Sequence, residues 1–536
     1  MCTFRRWSLC IALLLFGTSG PGAGAGAATS SIPSEFGAAI SPNHRQSRGS
    51  TDSEGGGEPG REPQLEWIEL ANDLKGAIQQ RVFGADTSGF YVYQSNGRDR
   101  LIEKYTFNGR RKFSHALPFQ DRSVEVVELL ARQQDVLVFF SIYNPTYSRH
   151  GLFVQRYPLA GGAIPEPAML LDRSEVNSPT RSEFHVSPDQ RSQGFVVIHL
   201  HHNEPLESQL FVAAFGGEQQ KLNETTFRVP VESERPVIED LQRDTADQVL
   251  ALVRQEGKTR RRSQPEGTDT GSDTLWRLWS LHPERLSFTE QAVTFPGYDV
   301  PELSMAVDRL NGGVRITGLL LNPGESTPVA AGMIQYASEG LLVANTVVVK
   351  LESAFLQSLS QIRGNLREKL QTPYRMLPPL LRSDGGWVLM AEAVYQTTQT
   401  YVQYSQGFPV YREITRFHTD EMVLLSVNAG GGISWRQIIP KKQVSSQPTA
   451  MHSAARMAFG SNIHLLYNDE GSQRSRLVMQ SLRHQGDVEN RTLHDPLLGE
   501  LILVPADACQ LSPATLLVPA QRRKKPGVLR VTIPAV

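Results

Sequence analysis

One strand pattern recurs along this chain, and it constrains the fold more than any other feature. Each copy has an apolar or alternating strand, a polar hairpin, a second strand, and a Gly, Asn or Pro turn into a third strand. The first copy, Gly89 to Leu117, contains the tight-turn pairs Asn96-Gly97 and Asn108-Gly109 between β-rich runs. Further copies begin at Asp135, Gly194, Asp247, Gly313, Gly386 and Asn462. The pattern therefore predicts an all-β repeat protein.

The size of the repeat narrows the architecture. Seven units of roughly 45 to 75 residues, with three or four strands each, are typical of β-propeller blades. Two packed β-sandwiches also use short strands, but they are not expected to repeat one strand order seven times. The turn Ser187-Pro188-Asp189 also resembles a turn in the blades of TolB-like propellers. We therefore predict a seven-bladed β-propeller over residues 65–536.

One segment departs from the strand pattern. Over residues 351–370, apolar side chains recur three and four positions apart, at Leu351, Phe355, Leu359, Ile362, Leu366 and Leu370. This spacing predicts an inserted amphipathic helix, which Pro373 ends. Two roles remain open for it: a helix that caps one face of the propeller, or a helix that docks a partner.

The N-terminal region predicts where the protein goes. Two arginines precede a short apolar run, Trp7 to Phe16, and the small-residue series Ala23 to Ala28 follows. This order predicts a secretory signal peptide over residues 1–27. Residues 28–64 are dominated by Ser, Gly and Pro, which predicts a disordered tether. No other segment has the roughly 20 apolar residues of a membrane helix, so we expect a periplasmic or extracellular protein without membrane insertion.

Charge and cysteine content exclude several classes of function. The chain has 54 Lys and Arg against 55 Asp and Glu, so no basic excess predicts binding to nucleic acid. Cys2 and Cys10 lie in the predicted leader, which leaves Cys509 as the single cysteine of the mature chain. An intramolecular disulfide framework is therefore excluded. The sequence also lacks G-x-S-x-G, H-E-x-x-H, P-loop and dinucleotide-binding motifs, so no cofactor is expected.

Polar residues on the predicted first strands of the blades are the candidates for a composite site. In a propeller the first strand of each blade lines the central channel, so residues distant in sequence can converge there. The candidate binding residues are His199, His201, Arg254, Glu392, Asn468 and Asp469, with His202 beside the first two.

The histidines offer only part of a metal site. His199 and His201 share one face of a strand and can both reach one ion. A zinc site needs a third ligand and usually a fourth, and no nearby residue supplies one. Only a distant residue such as Glu392 or Asp469 would complete the set, so we predict ordinary strand histidines and no metal.

The acidic candidates allow a structural and a chemical interpretation. Glu392 interrupts an apolar strand, where an isolated carboxylate would be costly to bury, so we expect solvation by the channel or pairing with an arginine. A role as general acid or base is the alternative. Asn468 and Asp469 stand where a strand enters its hairpin, which favours turn formation over contact with a ligand at the rim.

Residues near the end of the sixth unit carry a family resemblance. Trp435, Ile439, Pro440, Lys441 and Gln443 form the phrase W-x-x-x-I-P-K-x-Q, and the phrase Tyr467-Asn468-Asp469 follows. Together they resemble uncharacterised secreted proteins of bacterial envelopes that have a propeller-like fold. The match covers mainly residues 386–471 and implies fold and location without an activity.

The basic phrase itself is interpreted as structure. Alternation along the strand predicts that Trp435 packs between blades and that Pro440 ends the strand. Lys441 and Lys442 would then begin the loop to the seventh blade. A binding face shared with Asn468 is the remaining alternative.

Two functions follow from these observations. The first is an exported, non-enzymatic envelope protein that acts as a binding or scaffold module for an envelope protein or a glycan. The second is a propeller hydrolase or lyase that acts on polysaccharide, with Glu392, His201 and Asp469 as its acid–base set. Convergence of these three side chains in an open channel would favour the second.

Overall fold

The computed structural model describes residues 63–534 with internal gaps. The gaps are residues 76–78, 120–122, 161–164, 190–192, 205–206, 232–234, 257–273, 310–311, 326, 338–339, 364–373, 406–407, 446–451, 471–474, 494–500 and 524. The predicted signal peptide, residues 1–27, lies outside the described residues, and so does the predicted tether up to residue 62. Within the described ranges, no helix has the length and apolar character needed to cross a membrane.

The strands form eight antiparallel sheets in the described part of the chain, numbered here as blades 1 to 8. Blade 1 contains β2 (Gln79–Asp86), β3 (Gly89–Ser95), β4 (Arg100–Tyr105) and β5 (Arg111–Ala116). Blade 2 contains β6 (Val124–Ala131), β7 (Asp135–Asn144), β8 (Arg149–Pro158) and β9 (Met169–Glu175). Blade 3 contains β10 (Ser182–Pro188), β11 (Phe195–Glu204), β12 (Glu207–Phe215) and β13 (Lys221–Pro230). Blade 4 contains β14 (Val237–Arg243), β15 (Val249–Glu256), β16 (Thr274–His282) and β17 (Ser287–Val293).

The second half of the chain continues the series. Blade 5 contains β18 (Leu303–Val307), β19 (Val314–Leu321), β20 (Pro328–Tyr336) and β21 (Val343–Lys350). Blade 6 contains β22 (Tyr374–Leu381), β23 (Trp387–Ser405), β24 (Phe408–Val427), β25 (Ile433–Ile439) and β26 (Val444–Ser445). Blade 7 contains β27 (Ala455–Phe459), β28 (Asn462–Glu470), β29 (Ser475–Leu482) and β30 (Val488–Thr492). Blade 8 contains β31 (Leu501–Leu503), β32 (Cys509–Ser512), β33 (Thr515–Arg522), β34 (Lys525–Thr532) and the N-terminal β1 (Gln64–Glu69). Helix α1 (Ser353–Arg363) joins blades 5 and 6, and 3-10 turns occur at Pro179–Arg181 and Pro505–Asp507.

The sheets are arranged as a ring. In blades 1 to 7, the first four strands of each blade follow one another in the sheet as they do in the chain. The first strands of successive blades contact one another from β2 through β6, β10, β14 and β18 to β22. The first strand of blade 1, β2, also contacts β32 and β33 of blade 8. The prediction of an all-β propeller is therefore confirmed.

The number of blades differs from the seven predicted, because the eighth sheet is built from both ends of the described chain. β1 pairs antiparallel with β34, from Gln64 opposite Thr532 to Glu69 opposite Gly527. A search for local repeats misses this sheet, since one of its strands precedes all the others by almost the whole length of the chain.

The predicted units are also offset by one strand from the blades. Gly89 and Gly313 do not start a blade, because Gly89 is the first residue of a second strand and Gly313 directly precedes one. Both have positive φ, +154° and +87°, and a Cβ on Gly89 would lie 1.9 Å from the carbonyl oxygen of Tyr105. These glycines give the strongest local signal, so the sequence pattern begins there and leaves out the short strand before it.

Apolar side chains fill the spaces between successive blades. Between blades 6 and 7, for example, Met390 and Leu424 pack against Leu465 and Tyr467. The single described cysteine, Cys509, is buried between blades 8 and 1. Each fully buried aliphatic or aromatic side chain of this kind contributes about 1.5–3 kcal/mol, so the inter-blade layers hold the ring together.

The predicted helix is present and packs against blades 5 and 6. Leu351, Phe355 and Leu359 are buried against Met333 of blade 5 and Trp387 of blade 6. These three side chains therefore fill part of the interface between two blades, whereas Ile362, also predicted on the apolar face, is 44% exposed. The end of the predicted helix, residues 364–370, lies outside the described residues.

Candidate functional site

The predicted site residues do not line the channel on first strands. His199 and His201 lie on β11, which is hydrogen-bonded between β10 and β12, and Glu392 lies likewise on β23 between β22 and β24. Arg254 on β15 and the Asn468–Asp469 pair on β28 also lie on second strands. Their assignment to the innermost strands was wrong, because each predicted unit began one strand too late.

These residues belong to three separate places. His199 and His201 lie at the boundary of blades 2 and 3, where His199 bonds to Asp172 of β9. Arg254 in blade 4 donates from Nε to Glu239 Oε1 at 2.7 Å. The remaining three residues lie on the second strands of blades 6 and 7. The proposed acid–base set is therefore divided among blades 3, 6 and 7.

Glu392 is the centre of a buried ion-pair network. Its carboxylate contacts the Arg375 guanidinium, and Lys441 Nζ lies 3.3 Å from its Oε1. The hydroxyl of Ser453 donates to Oε2 at 2.8 Å. Burial alone would raise the pKa of Glu392, but the charges of Lys441 and Arg375, with these hydrogen bonds, outweigh it and lower the pKa to about 2. An ionised carboxylate that pairs with two cations is suited to holding blades together.

The basic phrase belongs to the same network. Lys441 and Lys442 follow β25 and begin the connection toward blade 7 as predicted, but Lys441 is only 3% exposed. Its ammonium group also donates to the carbonyl oxygen of Thr419 at 3.1 Å and to Gln443 Oε1 at 3.1 Å. Gln443 in turn donates to the carbonyl oxygens of Ser453 and Asn468, at 3.1 and 2.9 Å. The phrase therefore joins blade 6 to blade 7.

Asn468 and Asp469 continue these bonds toward blade 8. The Asn468 amide donates to the carbonyl oxygen of Leu501 at 2.8 Å and accepts from the Leu503 N–H at 2.7 Å. Asp469 Oδ1 accepts from the backbone N–H of the exposed Lys442 at 2.9 Å. Both residues thus bind backbone groups of other segments, and the family-like phrases stabilise the contact of three consecutive blades.

The strand histidines are held by aromatic contacts and hydrogen bonds. The His199 ring lies between Phe184, with ring centroids 4.3 Å apart, and His201, with centroids 5.5 Å apart. Burial lowers the pKa of His201. Among the residues that the structure describes, no group of three or more His, Cys, Asp and Glu side chains could hold a metal ion.

Two buried carboxyl groups on the inner side of the ring were missed. Glu128 on β6 lies 3.3 Å from the guanidinium of Arg81 on β2, and Asp507 follows β31 in blade 8. Burial raises the pKa of Glu128 to about 7, and that of Asp507 to about 7, despite the nearby charge of Arg81. The charge of Glu128 in its apolar run was the available signal, but β6 was not recognised as a blade strand.

A long hairpin, not predicted from the sequence, extends beyond the other strands of blade 6. β22 pairs with β23 only as far as Ala393, and β25 pairs with β24 only from Met422. Beyond these points β23 and β24 pair with each other, from Val394 opposite Thr419 to Ser405 opposite Phe408, and β26 pairs with β24 at Phe417 and His418. We call residues 394–405 and 408–419 the arm. At about 3.3 Å per residue, it extends about 35 Å.

The arm is exposed and partly apolar. Its exposed large apolar side chains are Tyr401, Val402, Phe408, Val410, Tyr411 and Ile414. The pairing register puts four of them on one face, namely Tyr401, Phe408, Val410 and Ile414. Phe408 is 73% exposed and Tyr411 is 70% exposed. In the sequence, a run of β-forming residues without turn residues after Val394 indicates that the strand continues.

Comparisons with known proteins add the following. No family model matches the chain, and no curated protein matches it. Among solved structures, the polysaccharide lyase Uly1 is similar with a TM-score of 0.35 at 10% identity, over 76% of this chain and 89% of that one. The AfRom2 CNH domain has a TM-score of 0.32 at 10% identity, over 77% and 96%. The Bombyx mori GH32 β-fructofuranosidase BmSUC1 has a TM-score of 0.27 at 10% identity, over 89% and 96%.

Proposed function

We propose that this protein is an exported bacterial envelope propeller that acts as a binding module, and that the arm is its docking element for a partner protein. The observation that carries the proposal is a two-stranded hairpin that continues about 35 Å beyond its blade with exposed aromatic side chains. Exposed large apolar groups concentrated on one element are typical of interaction sites.

The edge of β23 favours an extended polypeptide as the occupant. From Gln396 to Ser405, the described strands pair with β23 only through β24, and we propose that the other edge of this stretch offers backbone hydrogen-bonding groups. Natural edge strands are protected by charges, prolines or bulges. Residues 395–403 of β23 contain no charge and no proline. We therefore expect a partner strand to add to this edge.

The base of the arm is rigid, which reduces the entropic cost of binding. The rings of Tyr395 and His418 stack with centroids 4.5 Å apart. Tyr395 donates from its hydroxyl to Asp420 Oδ2 at 2.6 Å, and His418 lies opposite Val444 of β26. These contacts tie the foot of the arm to blade 6.

Location rests on the N-terminal region and on the family resemblance. The predicted leader over residues 1–27 supports export, and the phrases around Trp435 and Tyr467 support a place in the bacterial envelope. A partner protein of the envelope is therefore the expected ligand of the arm.

A shortened arm tests the proposal. Replacing residues 396–417 with Asn-Gly joins Tyr395 to His418 through a two-residue turn and keeps the base. The tagged protein is then used to capture partners from the envelope extract of its native host. We expect the wild type to retain one stoichiometric protein and the shortened variant to lose it.

Tyr147→Ser is the matched control. Tyr147 is 68% exposed but lies in blade 2, far along the chain from the arm, so its loss should leave capture unchanged. Phe408→Ser with Tyr411→Ser should weaken capture without shortening the arm. Equal recovery by the shortened variant, or no recovery by the wild type, would refute the proposal.

A further inference from the structure

A cavity opens where the last strand of blade 2 leads into blade 3. It has a volume of about 270 Å³ and is lined by Ser148, Glu175, Val176, Asn177, Arg181 and His202. Val176 and His202 are 5% and 4% exposed, so they form its inner wall. Ser148, Glu175 and Asn177 are exposed and form its rim. The cavity therefore combines a buried wall with a rim that a dissolved molecule can reach.

Hydrogen bonds within the protein hold the segments that line the cavity. The backbone N–H of Val176 donates to the carbonyl oxygen of Ser148 at 2.8 Å, which joins the segment after β9 to the turn before β8. Arg181 is the last residue of a 3-10 turn, and the next residue, Ser182, has its Oγ 2.9 Å from His199 Nε2 on β11. The lining is thus ordered before a ligand arrives, which reduces the entropic cost of binding.

The lining carries one cation and one anion, and their surroundings differ. Glu175 Oε1 lies 3.6 Å from Nη2 of the exposed Arg149. None of the ion pairs among the described residues includes Arg181, so its charge is the one that a ligand would neutralise. A guanidinium group matches a carboxylate through two parallel hydrogen bonds. A doubly charged phosphate would be repelled by Glu175, so the lining favours a carboxylate.

The neutral polar groups of the lining are suited to hydroxyl groups. Ser148 brings a hydroxyl and Asn177 an amide, and each can both donate and accept. His202 Nδ1 lies 2.7 Å from Ser208 Oγ, which leaves Nε2 as the ring nitrogen for a ligand. Burial, with the nearby charge of Arg235, lowers the pKa of His202 to about 4. Its ring is therefore neutral at neutral pH and acts through hydrogen bonds and not through charge.

We propose that this cavity binds a sugar acid, that is, a small carboxylic acid that carries several hydroxyl groups. Arg181 pairs with the carboxylate, while Ser148, Asn177 and His202 bond to the hydroxyl groups. Val176 supplies an apolar surface for the C–H groups of the sugar ring. The volume is just below the usual range of ligand sites, so the cavity takes a single sugar residue. That residue has the same chemistry as a free acid or as the end of an acidic glycan.

Isothermal titration calorimetry of the purified mature protein with D-galacturonate tests the proposal. D-galactose lacks the carboxylate and acetate lacks the hydroxyl groups, so each is a matched comparison. We expect saturable binding of D-galacturonate, with galactose and acetate at least about 10-fold weaker. Trigalacturonate separates the two sources: tighter binding of the trimer identifies a glycan end, and equal binding identifies the free acid. Either result supports a sugar-acid site.

Two arginine variants locate the binding. Arg181→Gln should weaken D-galacturonate binding at least about 10-fold, whereas Arg173→Gln should not change it, because Arg173 is an exposed residue of β9 outside the lining. The proposal is wrong if wild type does not bind D-galacturonate, if galactose or acetate binds as tightly, or if folded Arg181→Gln binds like wild type. The shortened arm should bind the sugar acid normally, so this test is independent of the proposed docking function.

Discussion

The hairpin β23–β24 has two halves that differ sharply although the same two strands build both. At the base, Leu389 and Ala391 are fully buried, since β22 and β25 flank the hairpin and other blades cover its faces. In the arm, Tyr411 is 70% exposed, with neither strand beside it. The difference shows that burial in this fold comes from the neighbouring strands and blades, because the base and the arm are both rich in β-forming residues.

The largest expected effect on the free energy of unfolding is at the base of the β23–β24 hairpin. Glu392→Gln keeps the size of the side chain but removes the carboxylate that neutralises the buried Lys441 and contacts Arg375. Removing one partner of a buried ion pair costs about 3–5 kcal/mol. We therefore expect the free energy of unfolding to fall by this amount in urea denaturation.

An exposed ion pair provides the control for Glu392. Glu69 pairs with Lys525 at 2.8 Å, but both side chains are more than half exposed. Glu69→Gln should cost less than about 1 kcal/mol. Similar losses for the two variants would show that the buried network does not hold blades 6 and 7 together.

Side-chain truncations at two positions of β23 compare the buried base of the hairpin with the exposed arm. Leu389→Ala removes a fully buried side chain between blades 5 and 6 and should cost about 2–5 kcal/mol. Val402→Ala, in the arm on the same strand, should change stability by no more than about 0.5 kcal/mol. A large loss for Val402→Ala would mean that the arm packs on the propeller.

Acid should remove the contribution of Glu392. Its pKa is about 2 in the folded protein against 4.5 in the unfolded chain, so its stabilisation is complete above pH 4.5 and is lost as the pH falls toward 2. The loss is on the order of 3 kcal/mol. The difference in unfolding free energy between wild type and Glu392→Gln should stay constant from pH 7 to 4.5 and shrink below it.

Two other carboxyl groups change stability in the opposite direction. Glu128 and Asp507 have pKa values raised to about 7, so the folded state binds their protons first and gains stability as the pH falls from 7 toward 4.5. Glu128→Gln should flatten this part of the wild-type curve. An unchanged curve would mean that Glu128 is ionised at neutral pH.

Shortening the arm is also expected to have little effect on stability. The Asn-Gly replacement of residues 396–417 removes exposed residues and leaves the base pairing of Tyr395 with His418. It should change the free energy of unfolding by less than about 1 kcal/mol. A larger destabilisation would assign the arm a structural role.

The propeller was predictable from the sequence because its signals are local. Asn96-Gly97 marks a tight turn in blade 1, and a glycine stands at or directly before the second strand of blades 1, 3, 5 and 6. The eighth blade was not predictable in this way, since β1 and β34 carry no signal of their pairing. The arm was missed because strand length depends on where the flanking strands β22 and β25 stop.

The site residues were harder to predict than the fold. An offset of one strand moved Glu392 and His199 from the inner position to the second, and their partners come from other segments. Asp172 and Ser182 lie on β9 and β10, and neither belongs to a motif that the spacing of residues would reveal. Pairing of a buried carboxylate with an arginine was expected for Glu392, and the structure shows it with Arg375.

The pairing of β1 with β34 has a consequence for how the ring forms. Gln64 cannot meet Thr532 until nearly the whole chain has been synthesised, so β1 waits without its partner while seven other sheets can already form from local segments. Closing a loop of this length costs about 5 kcal/mol of chain entropy. Closure should therefore be a late, slow folding step, and a ribosome that stops before β34 would leave an open ring with the inner surfaces of blades 1 and 8 exposed to aggregation.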